Sequence, residues 1–215
     1  MRLEANSKLV MIGDSITDCG RNQPIGEAPR GGLGFGYVAF VDGLLQALYP
    51  DRPIRVVNVG TSGNTVVDLQ ERWQRDVIDQ RPDYVSVMIG VNDVWRQFDS
   101  RLLYENHVSL DRYRETLRSL VTKTLPRVKE MFLLSPFFLE LNRSDPMRAM
   151  VDAYADSMKT VAEETGATFI DIQAEFDERL QHLTTWSWSG DRVHPYVSGH
   201  MVIARAFLRE IGVQC

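Results

Sequence analysis

The ten residues LVMIGDSITD (9–18) contain the most informative pattern in the sequence: four apolar residues in a row, then a glycine, then mostly polar side chains. A continuous apolar run is typical of a parallel β-strand that is covered on both faces, whereas a half-exposed strand alternates. Short apolar runs, most of them equally continuous, occur four more times. They are Ile54–Val59, Tyr84–Ile89, Met131–Leu134 and Thr168–Ile172. Together with the first run, Leu9–Ile12, they predict five strands.

Between these runs, apolar residues recur at the i, i+3, i+4, i+7 spacing of amphipathic helices. The helical patterns lie within residues 37–48, 66–77, 110–121, 147–161, 176–180 and 204–211. Alternation of strand and helix indicates a parallel sheet with helices on both faces, and right-handed crossovers restrict it to a few doubly wound arrangements. We therefore expect one α/β domain over residues 1–215, with irregular loops at 20–36 and 183–193.

The composition excludes several classes of protein. Of the 215 residues, 44% are hydrophobic and 25% are charged, which is typical of a globular chain with a full core. The net charge is −5, and the basic residues are scattered among acidic ones. The basic face of a nucleic-acid-binding protein is therefore not expected. No apolar run approaches the roughly 20 residues of a membrane span, so a membrane partner is not expected either.

The N-terminal residues 1–8 are polar and lack the apolar core of a signal peptide. The chain has two cysteines, Cys19 and Cys215, which are too few for a disulfide framework. We therefore expect reduced thiols and a cytoplasmic location. The hydrophobic content is compatible with a homo-oligomer, but no segment of the sequence identifies an interface.

Polar, glycine-containing segments follow the first three strands, at the sheet edge where open α/β folds bind their ligands. A fourth polar segment precedes the last helical pattern. The hydroxyl of Ser15 in the first segment becomes a nucleophile only if a base takes its proton. In the fourth segment, His194 can be that base, and Asp191 can hold its other ring nitrogen. Asp191 and His194 could instead ligate a metal, but no third ligand stands at a recognisable spacing, so we expect no metal and no cofactor.

The second and third segments offer hydrogen-bond donors to a developing negative charge. Gly63 has no side chain, so its backbone N–H can approach a substrate closely, and Asn92 carries an amide NH₂. With the backbone N–H of Ser15 they could form a three-donor oxyanion hole, in which one donor typically contributes about 3–4 kcal/mol. Each residue taken alone is more often part of a turn or a helix cap than of a catalytic site. Their positions after successive strands favour a shared site.

In the order of these segments the sequence resembles the GDSL esterases of the SGNH-hydrolase superfamily. The matching segments are GDS (13–15), NVGTSG (58–63), GVND (90–93) and DRVH (191–194), with Ile16 where the family name has leucine. The resemblance implies a flavodoxin-like three-layer α/β/α sandwich with a five-stranded parallel sheet. It also implies that Ser15 is the nucleophile, His194 the base and Asp191 its orienting partner. Ser15, Gly63 and Asn92 would then form the oxyanion hole.

Longer stretches are similar to the bacterial acetylxylan esterases, a carbohydrate-ester branch of this superfamily. They are IGDSITDCGR (12–21), GVNDVWR (90–96) and DRVHP (191–195). The resemblance implies a serine esterase whose substrates are small acetyl esters of carbohydrates, such as acetylated xylo-oligosaccharides. A lysophospholipase or thioesterase acting on longer acyl chains uses the same groups. A non-catalytic ligand-binding α/β module would keep the fold without the reaction, and it is the alternative of another class.

Several aromatic residues near these segments are candidates for substrate binding because a flat ring can stack on a sugar. They are Trp95, Trp186, Trp188 and Tyr196. Each can instead belong to the core, and the alternating Trp186 and Trp188 need not face the same way. Asp14 is a further candidate, although we favour a role in organising its loop by accepting backbone N–H groups.

Overall fold

The computed structural model describes residues 1–214 and contains a single sheet with the strand order β2-β3-β1-β4-β5-β6. The strands are β1 (Ser7–Gly13), β2 (Gly26–Glu27), β3 (Ile54–Asn58), β4 (Tyr84–Met88), β5 (Glu130–Leu134) and β6 (Thr168–Ile170). All neighbouring pairs are parallel except β2 with β3. The five parallel strands have the order of a flavodoxin-like sheet. The expectation for the Cys215 thiol lies outside the described residues.

Helices cover both faces of the sheet. They are α1 (Ser15–Asp18), α2 (Tyr37–Leu48), α3 (Val66–Trp73), α4 (Val91–Asp99), α5 (Leu110–Thr124), α6 (Pro146–Thr165), α7 (Ile172–Leu180) and α8 (Val197–Glu210). A π-helical turn, Gln74–Ile78, continues α3, and short 3₁₀ turns lie at Tyr104–Asn106, Leu125–Arg127 and Thr185–Ser187. One layer contains α2, α7 and α8, with α8 in contact with each of the other two, and the other layer contains α3, α4, α5 and α6. The three-layer α/β/α prediction is confirmed.

The hydrophobic core explains why the strand patterns are continuous. Every residue of β4 is buried, as is every residue of β5 except the first. A strand with helices on both faces buries both sets of alternating side chains, so neither set is polar. Among residues 1–214, no helix is both long enough and apolar enough to cross a membrane.

The predicted number of strands was wrong by one. The sixth strand, β2, comes from the irregular stretch 20–36 and pairs antiparallel with the edge strand β3, Gly26 opposite Asn58 and Glu27 opposite Val57. A strand of two residues is too short to show a periodic pattern of apolar side chains, so the sequence did not predict it. It is held in addition by an ion pair between Glu27 and Arg55, 2.7 Å long.

The segment 90–93 lies outside the predicted helical patterns, but the structure has a helix there. Helix α4 begins at Val91, which places Asn92 in the first helical turn. Gly90 precedes the helix with φ 131°, a conformation that suits only glycine. The apolar positions Val91, Val94, Trp95 and Phe98 have helical spacing, and this signal could have predicted α4.

Candidate active site

Ser15 is the first residue of α1, immediately after the central strand β1. The turn between them is held by Asp14, whose Oδ1 accepts the backbone N–H of Ile16 at 2.9 Å. Asp14 is 1% exposed, so it lies beneath the site and does not line it. This contact is of the kind expected of a loop organiser, and the substrate-binding alternative has no exposed surface to act through. Burial raises its pKa to about 6, although the Ile16 N–H and the nearby His194 oppose the rise.

The side chains of Ser15, His194 and Asp191 form a continuous hydrogen-bonded chain. Ser15 Oγ lies 2.8 Å from His194 Nε2, and His194 Nδ1 lies 2.6 Å from Asp191 Oδ2. If Nδ1 carries the proton that Asp191 accepts, the lone pair of Nε2 faces the serine hydroxyl. This is the arrangement that a serine nucleophile requires.

Asp191 is itself fixed by the turn that leads to His194. Its Oδ1 accepts the backbone N–H groups of Val193 and His194 at 2.9 and 2.8 Å, and the hydroxyl of Ser189 at 2.9 Å. Partial burial favours the neutral acid, but these hydrogen bonds and the one from the His194 ring outweigh it and lower the pKa of Asp191 to about 2. Asp191 therefore remains ionised at neutral pH.

The guanidinium of Arg72 joins the loop after β3 to the loop after β1. It donates to the carbonyl oxygens of Val59 (2.6 Å) and Gly13 (2.9 Å) and to Asn64 Oδ1 (2.6 Å). Three donors in one rigid plane fix the two loops relative to each other. The side chain of Asn64 is thereby held beside Gly63, which has φ 83°.

A second link between the same loops is made by Asp18. Its Oδ2 accepts both the backbone N–H and the hydroxyl of Ser62, at 3.1 and 2.8 Å. Ser62 directly precedes Gly63, a predicted oxyanion donor. Arg72 and Asp18 therefore both connect the segment that carries Gly63 to the segment that carries Ser15, the predicted nucleophile.

The amide of Asn92 is oriented by contacts at both of its ends. Its Nδ2 donates to the carbonyl oxygen of Asn64 at 3.0 Å, and its Oδ1 accepts from Arg96 Nη2 at 3.2 Å. These bonds distinguish the amide nitrogen from the oxygen and leave Nδ2 a second hydrogen to donate. The role of Arg96 was not predicted, because its position one helical turn after Asn92 matters only once α4 is recognised.

Asp93, the next residue, connects α4 to α3. It is fully buried, and its carboxylate accepts the backbone N–H of Val66 at 3.0 and 3.3 Å. Burial raises its pKa to about 7, despite the hydrogen bond from Val66, and the proximity of Asp14 adds to the rise. Asp93 therefore fixes the start of α3 relative to Asn92.

The predicted aromatic residues have separate locations. The ring of Trp95 lies 5.7 Å from that of His194, with the Arg96 guanidinium 5.3 Å from the indole. Trp186 is 75% exposed and lines a cavity with Asp191 and Arg192 whose lining does not include Ser15. Trp188 is 8% exposed and packs against Phe176 with a centroid distance of 6.3 Å. The structure therefore corrects Trp188 from a substrate-binding candidate to a core residue.

An apolar cavity of about 410 Å³ lies directly beside the nucleophile. Its lining consists of Ser15, Ile16, Cys19, Phe35, His194, Pro195, Tyr196, Val197 and His200. Tyr196 thus lies at the site, as predicted for a substrate contact. Phe35 was missed, because it comes from the irregular loop 20–36. Gly63 and Arg96 line a second, more polar cavity of about 310 Å³, whose lining includes neither Ser15 nor His194.

His200, the second histidine in the apolar cavity, has a different environment from His194. It is 6% exposed, its Nδ1 accepts the backbone N–H of Tyr37 at 3.2 Å, and its Nε2 lies 3.4 Å from Cys19 Sγ. The bond from Tyr37 places the ring proton on Nε2. Burial lowers the pKa of His200 to about 4, and burial raises that of Cys19 to about 11. Both groups are therefore neutral near pH 7.

Comparisons with known proteins agree with this geometry. The profile of the GDSL-like lipase/acylhydrolase family matches residues 11–202. The acetylxylan esterase of Geobacillus stearothermophilus is 57% identical over 214 residues, which cover 100% of this chain and 98% of that protein. A crystal structure of that enzyme, Axe2, has a TM-score of 0.98 to this chain at 57% identity, over 100% of this chain and 98% of the other.

Catalytic mutants of Axe2 named S15A, D191A and H194A have also been solved. LAE5, an alpha/beta hydrolase from the metagenome of Lake Arreo in Spain, is 51% identical with a TM-score of 0.97, over 99% of this chain and 98% of that one. The family profile spans most of the chain, and the enzyme from Geobacillus stearothermophilus matches its full length. The chain therefore belongs to the GDSL-like lipase/acylhydrolase family.

Proposed function

We propose that this chain is a serine esterase that removes acetyl groups from carbohydrates such as acetylated xylo-oligosaccharides. The observation that carries the proposal is the hydrogen-bonded chain from Ser15 Oγ through His194 to Asp191, with distances of 2.8 and 2.6 Å. The full-length similarity to an acetylxylan esterase supports the substrate class. The catalytic mutants of that enzyme change residues with the same types and numbers as Ser15, Asp191 and His194.

In the first half of the reaction, Ser15 Oγ attacks the carbonyl carbon of the acetyl ester while His194 Nε2 takes the hydroxyl proton. The ionised Asp191 stabilises the imidazolium that forms. The carbonyl oxygen becomes negatively charged, and the N–H groups of Ser15 and Gly63 and the Asn92 amide donate to it. One such donor contributes about 3–4 kcal/mol. The intermediate then breaks its bond to the alcohol oxygen, which receives the proton from His194.

In the second half, water takes the place of the alcohol. His194 removes a proton from the water as its oxygen attacks the acetyl-serine, and the same donors hold the oxyanion. Cleavage of the ester bond returns the proton to Ser15 Oγ and releases acetic acid. The two halves balance without a metal or a cofactor.

A lysophospholipase or thioesterase is the second candidate, and the apolar cavity beside Ser15 is the observation that favours it. Such a cavity can hold a long acyl chain as well as part of an alcohol. A series of ethyl esters with increasing acyl length distinguishes the two. A steep fall in kcat/KM beyond the acetyl and propionyl esters supports the acetyl esterase, whereas a rise with length supports the second candidate.

The test of the proposal is hydrolysis of a panel of acetylated xylo-oligosaccharides beside a lysophospholipid, with Ser15→Ala as the control. We expect acetate release from the sugars by the native chain and none above background by Ser15→Ala. Labelling with a fluorophosphonate, followed by location of the adduct, excludes a non-catalytic binding module if the adduct is on Ser15. Full activity of Ser15→Ala would refute the mechanism.

We also propose that residues 1–215 act as one catalytic domain. One continuous hydrophobic core extends from Leu3 to Val213 and includes residues of every parallel strand. The candidate site joins Ser15, near the start of this range, to His194, near its end, so the site forms only when the two ends of the domain pack together.

A further inference from the structure

The loop that precedes α2 exposes a large apolar ring in a fixed position. Phe35 is 69% exposed, yet its backbone N–H donates to the carbonyl oxygen of Cys19 at 3.0 Å. A Cβ added at Gly20 would lie 2.5 Å from Phe35 Cε1, so the ring rests directly on the backbone of Gly20. Exposed apolar surface costs solubility, and an exposed aromatic ring held rigidly beside a nucleophile indicates a binding surface.

The glycines on either side of Phe35 are required by this arrangement. A Cβ at Gly34 would lie 2.4 Å from the carbonyl oxygen of Cys19, and one at Gly36 would lie 2.9 Å from Cys19 Sγ. Gly34 also has φ 83°, which disfavours other residues. The sequence GFG (34–36) therefore packs closely against the segment that follows Ser15, and the position of the Phe35 ring is built into the loop.

Tyr196 and Val197 also line this cavity and form a second part of its apolar wall. They are 49% and 66% exposed and follow His194 and Pro195 at the start of α8. The backbone N–H of Tyr196 donates to the carbonyl oxygen of Trp188 at 2.7 Å, which fixes this wall to the core. The cavity of about 410 Å³ thus has Ser15 and His194 on one side and aromatic and aliphatic groups at its rim.

The position of His194 decides which half of the ester this cavity can hold. His194 must give its proton to the oxygen of the departing alcohol, so the alcohol lies on the His194 side of the reacting carbon. His194 lines the apolar cavity, whereas Gly63, a predicted oxyanion donor, lines the more polar one. An acetyl methyl group would fill only a small part of 410 Å³. The cavity therefore suits the alcohol better than the acyl group.

We propose that the apolar cavity binds the sugar ring of the departing alcohol and that Phe35 is the specificity-determining residue that contacts the C–H face of that ring. This inference rests on the proposed function, because it assigns the two halves of the ester to the two sides of Ser15. It predicts that the enzyme recognises a six-membered ring in the alcohol, and that Phe35 acts on the binding of that ring with little effect on the acetyl group.

The test compares three esters that share the acetyl group, namely acetylated xylobiose, cyclohexyl acetate and ethyl acetate. For each ester, the kcat/KM of Phe35→Ala is divided by that of the native chain, which cancels the intrinsic reactivity of the ester. We expect Phe35→Ala to lower kcat/KM by about tenfold on both ring esters, mainly through KM, as the loss of an aromatic contact predicts. Ethyl acetate should stay within about twofold of the native value, since it has no ring to contact.

Leu48→Ala is the matched control, because Leu48 is 45% exposed at the end of α2 and does not line the cavity. It should leave all three ratios near one. Equal losses on all three esters with Phe35→Ala would overturn the proposal, as would an altered preference between ethyl acetate and ethyl butanoate with the ring esters unchanged. If the native chain cleaves cyclohexyl acetate but not acetylated xylobiose, the proposed sugar substrate fails. The ratio on cyclohexyl acetate still decides whether the cavity holds the ring of the alcohol.

Discussion

Replacing Arg96 with methionine should lower kcat by a small and predictable factor. Arg96 Nη2 donates to Asn92 Oδ1 at 3.2 Å, while Asn92 Nδ2 keeps its bond to the carbonyl oxygen of Asn64. The change therefore removes one of two contacts that orient the amide. Loss of a single hydrogen bond typically costs about 0.5–1.5 kcal/mol. A value near 1 kcal/mol corresponds to a roughly fivefold decrease in kcat.

The assay is steady-state hydrolysis of 4-nitrophenyl acetate by Arg96→Met, Asn92→Ala and the double variant. Asn92→Ala removes the donor itself and should lower kcat by about 10²–10³-fold. If Arg96 acts by orienting Asn92, Arg96→Met should have no further effect once Asn92 is alanine. KM should change little, because the oxyanion forms only in the transition state.

Arg112→Met is the matched control, since Arg112 lines the same polar cavity as Arg96 but belongs to α5. It should leave kcat unchanged on this small substrate. A fivefold loss that persists in the Asn92→Ala background would exclude a positioning role for Arg96, because Arg96 would then act on substrate or fold independently of Asn92.

Three further predictions follow from the buried and charged groups. Asp191→Asn should lower kcat by about 10³–10⁴-fold with little change in melting temperature, because an amide no longer holds the His194 tautomer; an activity loss below tenfold would contradict this role. Ser86→Ala should raise the free energy of unfolding by about 1 kcal/mol in urea titrations, because the buried Ser86 hydroxyl has no hydrogen-bond partner among residues 1–214. The folded-state pKa of Asp93 is raised from 3.8 to about 7, so its ionisation destabilises the native state as the pH rises through that range. Asp93→Asn should remove up to about 4 kcal/mol of the decline in stability between pH 4 and 8, and unchanged pH dependence in urea titrations would exclude the effect.

The parallel sheet could be predicted because a strand that is buried on both faces is apolar at nearly every position, which marks it in the sequence. β4 is fully buried and its sequence is almost entirely apolar. The antiparallel strand β2 has no such mark, because it is only two residues long and is held by backbone pairing with β3 and by the ion pair of Glu27 with Arg55. Its position depends on how the loop 20–36 crosses the sheet edge, which local sequence does not encode.

The candidate site could be predicted as far as its residues follow strands. Ser15 and Asn92 lie within four residues of the ends of β1 and β4, and His194 follows Asp191 at a recognisable spacing. Phe35 and Arg96 could not be found in this way. Phe35 reaches the site because its loop folds back on Cys19, and Arg96 reaches Asn92 only through the helical geometry of α4.

The hydrogen bond between Ser15 and His194 joins residues 179 positions apart, and it has a consequence for folding. Helix α2, which follows the first loop, packs on α8, which follows His194. Contacts of such long sequence separation form late, because the chain between them must be ordered first. During refolding, esterase activity should therefore return after the circular dichroism of the helices. The rate at which activity returns then measures how fast the C-terminal part of the domain, which carries His194, docks on the N-terminal part, which carries Ser15. The catalytic residues thus report when folding of the whole domain is complete.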